Sequence, residues 1–375
     1  MVSSMEIPVP SRDGMRGKLS KVHRIRSYRK GLSRFLVDFA IYWLLLLAAC
    51  TLPLYKGAIV CTLLAGFWVG RLFVLAHDAA HNTLTPSRRL NFGLARLLFT
   101  PELVPLSSWI YAHNYLHHAC LRIKGKDMVW QPWSYEDWLA ASPASRRWYR
   151  FLRSPFGLGF YWIVEVWLRH HCRPVISNGV ARKKAFAFDI TCLIAGFVLL
   201  YGGLWFVSDR LAIWFQFPRP TLERVLFRAF LVPYLIWTYS IGCFDLVSHT
   251  HPRAAWFQDR SDWSFYRANV WSTTHVIIPF WTSSLVHHVF RHTAHHIDPR
   301  IPLYELEAAQ REVEHAHGKD VIVARLSPGY VLGLLKTCRL YDYQHHCWLD
   351  YDGSPTSDPA RQQWTEERTA KVDSE

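Results

Sequence analysis

The ten-residue segment at 287–296, HHVFRHTAHH, constrains this chain more than any other stretch. His292, His295 and His296 stand at i, i+3 and i+4, so a helix would project all three imidazoles from one face. Neighbouring imidazoles repel one another when they are protonated, whereas neutral imidazole is a common metal ligand. The segment therefore predicts a metal centre whose remaining ligands lie elsewhere in the chain.

The composition places this centre in a membrane protein. Of the 375 residues, 50% are apolar and only 19% are charged, below the roughly 25% that is usual in soluble domains. The net charge of +14 comes from basic clusters beside apolar runs, which favours anionic lipid and the positive-inside rule. No nucleic-acid-binding motif is present, so we expect no nucleic-acid partner. The eight cysteines form no CxxC pair, so we expect neither a disulfide framework nor a structural zinc site.

Four apolar runs are each about as long as a membrane-spanning helix. They cover residues 35–54, 58–76, 185–207 and 225–247. A short turn at Pro53–Gly57 predicts that the first two runs form a hairpin. The basic residues before the first run place the N-terminal segment in the cytoplasm. Residues 88–112 mix arginines with apolar residues, which is typical of an interfacial amphipathic helix.

These features predict an all-α integral membrane protein with about four transmembrane helices, interfacial helices and a histidine-rich cap on the cytoplasmic side. The expected divisions are a basic N-terminal segment at 1–34, a membrane domain at 35–310 and a cytoplasmic C-terminal region at 311–375. Beyond Ser354 the low hydrophobicity predicts a mobile tail.

Under this topology, three further histidine clusters fall on the same side of the membrane. HDAAH at 77–81 ends the second run, HNYLHH occupies 113–118, and HTH at 249–251 follows the fourth run. Together with the first segment they supply nine candidate ligands: His77, His81, His113, His117, His118, His249, His292, His295 and His296. Nine imidazoles exceed the coordination of one ion, so two metals are predicted. Imidazole-rich, open coordination favours redox chemistry with oxygen.

HDAAH, HNYLHH and HTAHH resemble the three histidine boxes of the membrane fatty-acid desaturase and hydroxylase superfamily. VSHTHP at 247–252 is similar to the QHTHP-type motif of the omega-6 (delta-12) branch, although Ser248 stands where that branch usually has Gln. The sequence at 295–310 is similar to the sequence that follows the last box in the same branch, and His287 also has a counterpart there. The resemblance covers roughly residues 35–310.

The resemblance implies that the nine histidines hold two Fe²⁺ ions, with His249 as the ligand outside the boxes. It implies O2-dependent desaturation of a fatty-acyl chain carried by a lipid, by coenzyme A or by acyl carrier protein. The chain has no HPGG haem-binding motif, so we expect an external reductant such as ferredoxin or a cytochrome b5-type donor. The expected location is the bacterial inner membrane, with the active site facing the cytoplasm.

Two alternatives remain open. Hydroxylation, acetylenic-bond formation and carotenoid oxidation occur in the same superfamily and would use the same ligands. A metal-binding membrane transporter is the alternative from another class, but it predicts histidines within the spans rather than at their ends.

The sequence also suggests secondary roles around the centre. Asp78 and Asp298 are candidates to orient ligand imidazoles by accepting their ring N–H groups. Four more histidines are expected near the site without a firm role: His251, His275, His287 and His288. The pairs His170–His171 and His345–His346 are interpreted as surface groups. The tryptophans between 130 and 167 are interpreted as an interfacial belt, and the basic 146–184 region as a lipid-facing surface or a docking site for an acidic donor.

Overall fold

The computed structural model describes residues 11–52, 55–172 and 180–360. Across these ranges the chain is mostly helical, and two small two-stranded sheets accompany the helices. The first half contains α1 (Arg12–Lys18), α2 (Tyr28–Thr51), α3 (Tyr55–Ala80), α4 (Arg88–Leu98), α5 (Leu106–Trp109), α6 (Tyr135–Ala140), α7 (Pro143–Leu152) and α8 (Leu158–Tyr161). The second half contains α9 (Val180–Phe197), α10 (Gly203–Trp214), α11 (Leu222–Val225), α12 (Val232–His249), α13 (Phe265–Asn269), α14 (Phe280–Leu285), α15 (His292–Ile297), α16 (Leu306–His317) and α17 (Pro328–Thr337).

Several helices continue without a break into π-helical turns. These lie at Ile110–His117 after α5, Trp162–His171 after α8, Val198–Gly202 between α9 and α10, and Leu226–Leu231 between α11 and α12. Short 3-10 turns occur at Lys21–Arg24 and Leu303–Glu305. The π-helical turns therefore join shorter elements into long continuous helices.

The described residues include four helices that are long and apolar enough to cross a membrane, which confirms the expected number. They are Tyr28–Thr51, Lys56–Ala80, Lys183–Trp214 and Leu222–His249, here called the first to fourth spans. Each begins before its apolar run because backbone hydrogen bonding does not depend on hydrophobicity. The first span, for example, begins at Tyr28 because the Ser27 side chain accepts the backbone N–H of Lys30 and caps the helix.

Two local predictions differ from the structure. Tyr55, Lys56 and Gly57, expected in a turn, belong to the first turn of α3, while Pro53 and Leu54 lie outside the described residues. The expected interfacial helix at 88–112 is interrupted after Leu98 and resumes at Leu106. Pro101 and Pro105 explain the interruption because proline cannot donate a helical hydrogen bond.

The chain after the fourth span contains strands that the apolar pattern did not predict. β1 (Thr274–Ile277) pairs in parallel with β2 (Ile322–Arg325), and β3 (Leu340–Asp342) pairs antiparallel with β4 (Cys347–Leu349). Strands of three or four residues are too short to give a recognisable alternation.

The expected mobile tail does not begin at Ser354. The backbone N–H of Thr356 donates to Trp348 O at 2.8 Å, and that of Ala360 donates to His346 O at 2.9 Å. Residues 354–360 therefore pack on the body of the protein, and 361–375 lie outside the described residues.

Glycine allows helix α8 to lie directly against the fourth span. A Cβ atom added to Gly242 would lie 2.1 Å from Leu158 O, and one added to Gly159 would lie 3.1 Å from Tyr239 N. The second and fourth spans also approach closely, since a Cβ atom on Gly66 would lie 2.7 Å from the Ile236 Cβ. These contacts fix the helices that carry the histidine clusters.

We predict that Gly242→Ala destabilises the protein by about 1–3 kcal/mol because the new methyl group meets backbone rather than a movable side chain. Thermal unfolding in detergent measures the effect. Gly203→Ala is the matched control, since no atom lies within 4 Å of its added Cβ. An unchanged unfolding temperature for Gly242→Ala would contradict the close packing.

Candidate metal centre

Helix ends deliver the nine predicted histidines to one place. His77 lies in the last turn of the second span, His249 is the last residue of the fourth, and α15 carries His292, His295 and His296. The remaining candidate ligands are His81, which directly follows α3, and His113, His117 and His118, which lie in or just after the π-helical turn.

The nine residues form two separate groups. The first contains His77, His81, His113, His118 and His295, and the second contains His117, His249, His292 and His296. Within each group, one nitrogen from every ring lies within 4.8 Å of the others. Each group offers enough neighbouring donors to hold one metal ion.

The π-helical turn decides how the second box is divided between the groups. An α-helix would place His113 and His117, at i and i+4, on one face. Instead the His118 backbone N–H donates to His113 O at 2.9 Å, an i to i+5 bond. His113 and His118 therefore face the first group, and His117 turns toward the second. The sequence predicted these residues but not this division.

The spacing of the ring nitrogens fits a metal ion. In the first group, the His113 Nε2 lies 3.0 Å from the Nε2 atoms of both His77 and His118. In the second group, the His292 Nε2 lies 2.7 Å from the His249 Nε2 and 3.0 Å from the His296 Nε2. Two nitrogens that are each about 2.1 Å from one ion and about 90° apart would be about 3.0 Å from each other.

His81 supplies an independent sign of an absent partner. Its Nε2 is buried and has no hydrogen-bond partner among the described residues. A buried polar atom of this kind is costly unless something binds it. The donor set is therefore suited to cations that prefer imidazole.

Burial keeps the imidazoles neutral. It holds the pKa values of His81, His113, His118, His292, His295 and His296 well below the usual value of 6.5, and neighbouring histidines lower them further. A neutral ring has a free lone pair, so these side chains need lose no proton to bind a metal at neutral pH.

The carboxylate that orients a candidate ligand is Asp127, which sequence reasoning missed. The His117 Nδ1–H donates to the Asp127 Oδ1 at 2.8 Å, and both side chains are 1% exposed. Asp127 also accepts the backbone N–H groups of Arg122 and Val129. This arrangement fixes the ring so that its Nε2 faces the second group.

The two carboxylates that were predicted for this role have other partners. The Asp78 Oδ2 accepts the Leu303 backbone N–H at 2.6 Å, while its Oδ1 lies 3.7 Å from the His77 Nδ1, beyond hydrogen-bond distance. Asp298 binds the guanidinium groups of Arg24 and Arg300. Adjacency to a box therefore predicted the position of these residues but not their contacts.

Helix α16 supports the short ligand helix α15. The Ala294 backbone N–H donates to the Gln310 Oε1 at 2.9 Å, and the Gln310 Nε2 donates to the Glu314 Oε1 at 2.9 Å. α15 has only six residues and no side-chain N-cap. Gln310 therefore helps to hold an element that supplies ligands to both groups.

A cavity of about 180 Å³ lies beside the histidines. Six of the nine candidate ligands form part of its wall: His77, His113, His117, His249, His292 and His295. Most of the remaining wall is apolar and includes Phe73, Trp109, Trp162, Trp237, Ile241, Phe244, Val289 and Phe290. The cavity can accommodate part of a hydrocarbon chain close to both groups.

Two polar residues of this wall were also missed. Asp245 precedes His249 by one helical turn, and this spacing could have predicted that both side chains line the same cavity. His171 was interpreted as a surface group, but it is only 2% exposed and lines the cavity. Burial lowers its pKa to about 3, which keeps the ring neutral. The surface interpretation was also wrong for His346, which is buried, whereas His345 is exposed.

The four histidines expected near the site lie outside both groups. His287 binds Asp38, His288 contacts Ser283 and Glu307, His275 contacts Glu314 and Arg291, and His251 accepts the Arg253 backbone N–H. The tryptophans are also more varied than a belt, since Trp130, Trp138 and Trp162 are buried and Trp148 is exposed.

The model of the family described as "Fatty acid desaturase" matches residues 53–325, well over half of the chain. The chain belongs to the fatty acid desaturase family. The desaturase is 26% identical over 295 residues to an sn-1 oleoyl-lipid 12-desaturase from Synechocystis, covering 76% of this chain and 77% of that protein. It is 26% identical over 330 residues to a chloroplastic omega-6 fatty acid desaturase from Arabidopsis thaliana, covering 86% and 67%.

A third relative is a fatty acid desaturase from Bacillus subtilis, 23% identical over 318 residues that cover 79% of each chain. The predicted superfamily and its omega-6 branch are thus confirmed. The desaturase is an oxidoreductase of lipid metabolism, and its four apolar helices agree with an integral membrane enzyme.

We predict that Asp127→Asn weakens metal binding at the second histidine group by about 10–100-fold, because loss of such an orienting carboxylate typically costs that much. Titration of the metal-free protein with Fe²⁺ should show one weakened and one unchanged site. Asp137→Asn, which removes a carboxylate paired with Lys124 at the surface, should leave both sites unchanged. Equal affinities in Asp127→Asn and the parent protein would refute the orienting role.

We also predict that Gln310→Leu lowers stability by about 1–3 kcal/mol, since it leaves the buried Ala294 N–H without an acceptor. Thermal unfolding of the metal-free protein measures this loss. The control is Gln344→Leu at an exposed position, where the same substitution should change little. If the two variants unfold alike, Gln310 does not support α15.

Proposed function

We propose that this protein is a di-iron fatty-acyl desaturase that uses O2 and an external reductant to introduce a carbon–carbon double bond. The observation that carries the proposal is the pair of imidazole groups beside one apolar cavity. The names of the relatives support an acyl chain as the substrate. The overall reaction would convert two adjacent methylenes, O2, two electrons and two protons into an alkene and two waters.

The nine histidines are the proposed iron ligands. His77, His81, His113, His118 and His295 would hold one Fe²⁺, and His117, His249, His292 and His296 would hold the other. Two ferrous ions in these positions would supply the O2-dependent oxidising chemistry that an unactivated methylene requires. Neutral imidazole suits iron among other metals, and Asp127 would keep the His117 ring in its binding orientation.

The remaining wall of the cavity positions the chain and excludes water. Aromatic side chains, including Trp109, Trp162 and Trp237, surround the space beside the histidines. A dry wall favours an extended hydrocarbon and protects reactive species from solvent. The desaturase would therefore use shape to place two methylenes beside the histidine groups, since a saturated chain offers little to hydrogen-bond.

The electron donor would be a separate protein such as ferredoxin or a cytochrome b5-type carrier. A basic surface suits an acidic donor, and the exposed Arg147 and Arg150 on α7 offer one such surface. We further propose a bacterial inner-membrane location with the histidine groups on the cytoplasmic side, because the basic N-terminal segment precedes the first span.

Hydroxylation, acetylenic-bond formation and carotenoid oxidation would require the same ligands, and product analysis separates them from desaturation. The transporter alternative places histidines within the membrane, whereas the two groups here lie at helix ends. The membership of this chain in the fatty acid desaturase family also favours an enzyme over a transporter.

We predict that His295→Ala abolishes product formation and lowers the iron content below the expected value of about two per chain. Expression in a host without polyunsaturated lipids, followed by mass spectrometry that locates double bonds, measures the product. Exposed His345 provides the matched control His345→Ala. If His295→Ala forms new double bonds at the parent rate, the di-iron assignment is wrong. If the parent protein forms a hydroxylated product, its reaction is hydroxylation rather than desaturation.

A further inference from the structure

The cavity has an opening on the outer faces of two spans. Phe67 on the second span and Ser240 on the fourth both line the cavity and are exposed. Further exposed apolar residues lie nearby: Leu63 and Leu64 one turn before Phe67 on the second span, and Tyr239 next to Ser240 on the fourth. Apolar residues exposed on a spanning helix face hydrocarbon. The opening between these spans is therefore directed toward lipid.

A third element completes the rim of the opening. Val286, Val289 and Phe290 follow α14 and line the cavity. In the same segment, Trp281 is 68% exposed and Leu285 is 42% exposed. Residues 281–290, here called the rim segment, thus present apolar side chains both to the cavity and to the exterior.

A buried ionic cluster attaches the rim segment to the first two spans. The Arg71 guanidinium donates to the Asp38 Oδ1 at 2.6 Å and 2.9 Å, and also to Leu285 O. The His287 Nε2 binds the other Asp38 oxygen. Asp38 is 0% exposed, and ionisable groups inside a membrane helix are costly unless they are paired. The cluster therefore connects both spans to the backbone and to a side chain of the segment.

The backbone of the rim segment is unusual at this attachment. His287 and His288 have φ values of 51° and 58°. Non-glycine residues rarely adopt this left-handed conformation, and they keep it only where surrounding contacts hold it. The bond from His287 to Asp38 is one such contact, and the bond between the His288 Nδ1 and the Ser283 Oγ, at 2.9 Å, is another.

We propose that the acyl chain of a bilayer glycerolipid enters the cavity sideways, between the second and fourth spans and under the rim segment, which Asp38, Arg71 and His287 hold in place. This inference rests on the proposed function; one relative is named an sn-1 oleoyl-lipid 12-desaturase, so the new element is the route by which such a chain reaches the cavity and the attachment of the rim segment. A glycerolipid keeps its headgroup at the membrane surface while one chain slides in from the hydrocarbon. A water-soluble thioester carrier would instead need an opening that faces water.

The first test narrows the opening without touching a proposed ligand. Ser240→Trp places a large ring at the rim, and Leu235→Trp places the same ring on an exposed position of the fourth span outside the cavity wall. Both variants are assayed in nanodiscs of dioleoyl phosphatidylcholine, with oleoyl-coenzyme A in parallel. We expect the activity of Ser240→Trp on the phospholipid to fall at least about tenfold. Leu235→Trp should keep the parent rate, with an unchanged iron content.

Full activity of Ser240→Trp on the phospholipid would overturn the lateral route. A parent protein that converts only oleoyl-coenzyme A would overturn the choice of carrier and leave the proposed function intact. If the parent protein makes a double bond in neither substrate, the proposed function fails, and the route is then judged by the second test alone.

The second test needs no metal and no turnover. A phosphatidylcholine with a photoreactive diazirine in its acyl chain is irradiated in nanodiscs with the metal-free protein. We expect adducts on Ile241 and Val289, which line the cavity, and a loss of these adducts in Ser240→Trp but not in Leu235→Trp. Labelling that is confined to outward-facing residues such as Leu63 would overturn the proposal.

Hydrogen exchange examines the attachment itself. In Asp38→Asn, backbone amides of residues 284–290 should exchange faster than in the parent protein, while those of α15 stay protected. His287→Gln removes one bond of the cluster and serves as the milder variant if Asp38→Asn fails to fold. Unchanged exchange in a folded variant would show that the cluster does not hold the rim segment.

Discussion

Nine imidazoles, whose donor nitrogens lie within 4.8 Å of one another in each of two groups, are the constraint on which the rest of the structure depends. A neutral imidazole has one donor and one acceptor. The His117 Nδ1–H donates to Asp127, so the lone pair on the His117 Nε2 points toward the second group. Lone pairs that converge in this way repel unless a cation lies between them, so the proposed iron ions would relieve a conflict built into the fold.

The lengths of two spans allow the histidine groups to lie at the edge of a bilayer core. The second span has 25 residues and the fourth has 28, so at about 1.5 Å per residue they reach about 38 Å and 42 Å. A hydrocarbon core is about 30 Å thick. The ends that bear His77 and His249 can therefore reach its edge, where α15 completes both groups and α16 supports α15.

The sequence was sufficient to predict the four spans and that nine histidines lie together, because hydrophobicity and histidine spacing are local signals. It could not predict which histidines share a group, since the division of His113, His117 and His118 depends on a π-helical bond rather than on residue type. Asp127 and Gln310 were missed because their roles arise from side-chain hydrogen bonds that form only in the folded chain and follow no spacing rule. The short strands were missed because three or four residues give no recognisable alternation, and the buried tryptophans because burial depends on tertiary packing.

The chain order links the cavity wall to the metal centre. The wall residues Val289 and Phe290 lie between two anchors, His287 bound to Asp38 on one side and Arg291 on the other. The Arg291 Nε donates to the Glu307 Oε2 at 2.6 Å, directly before the first ligand of α15. A movement of the wall that admits an acyl chain would therefore be absorbed between the anchors. The ligand helix, held separately by Arg291 and Gln310, can keep its geometry while the opening beside it changes shape.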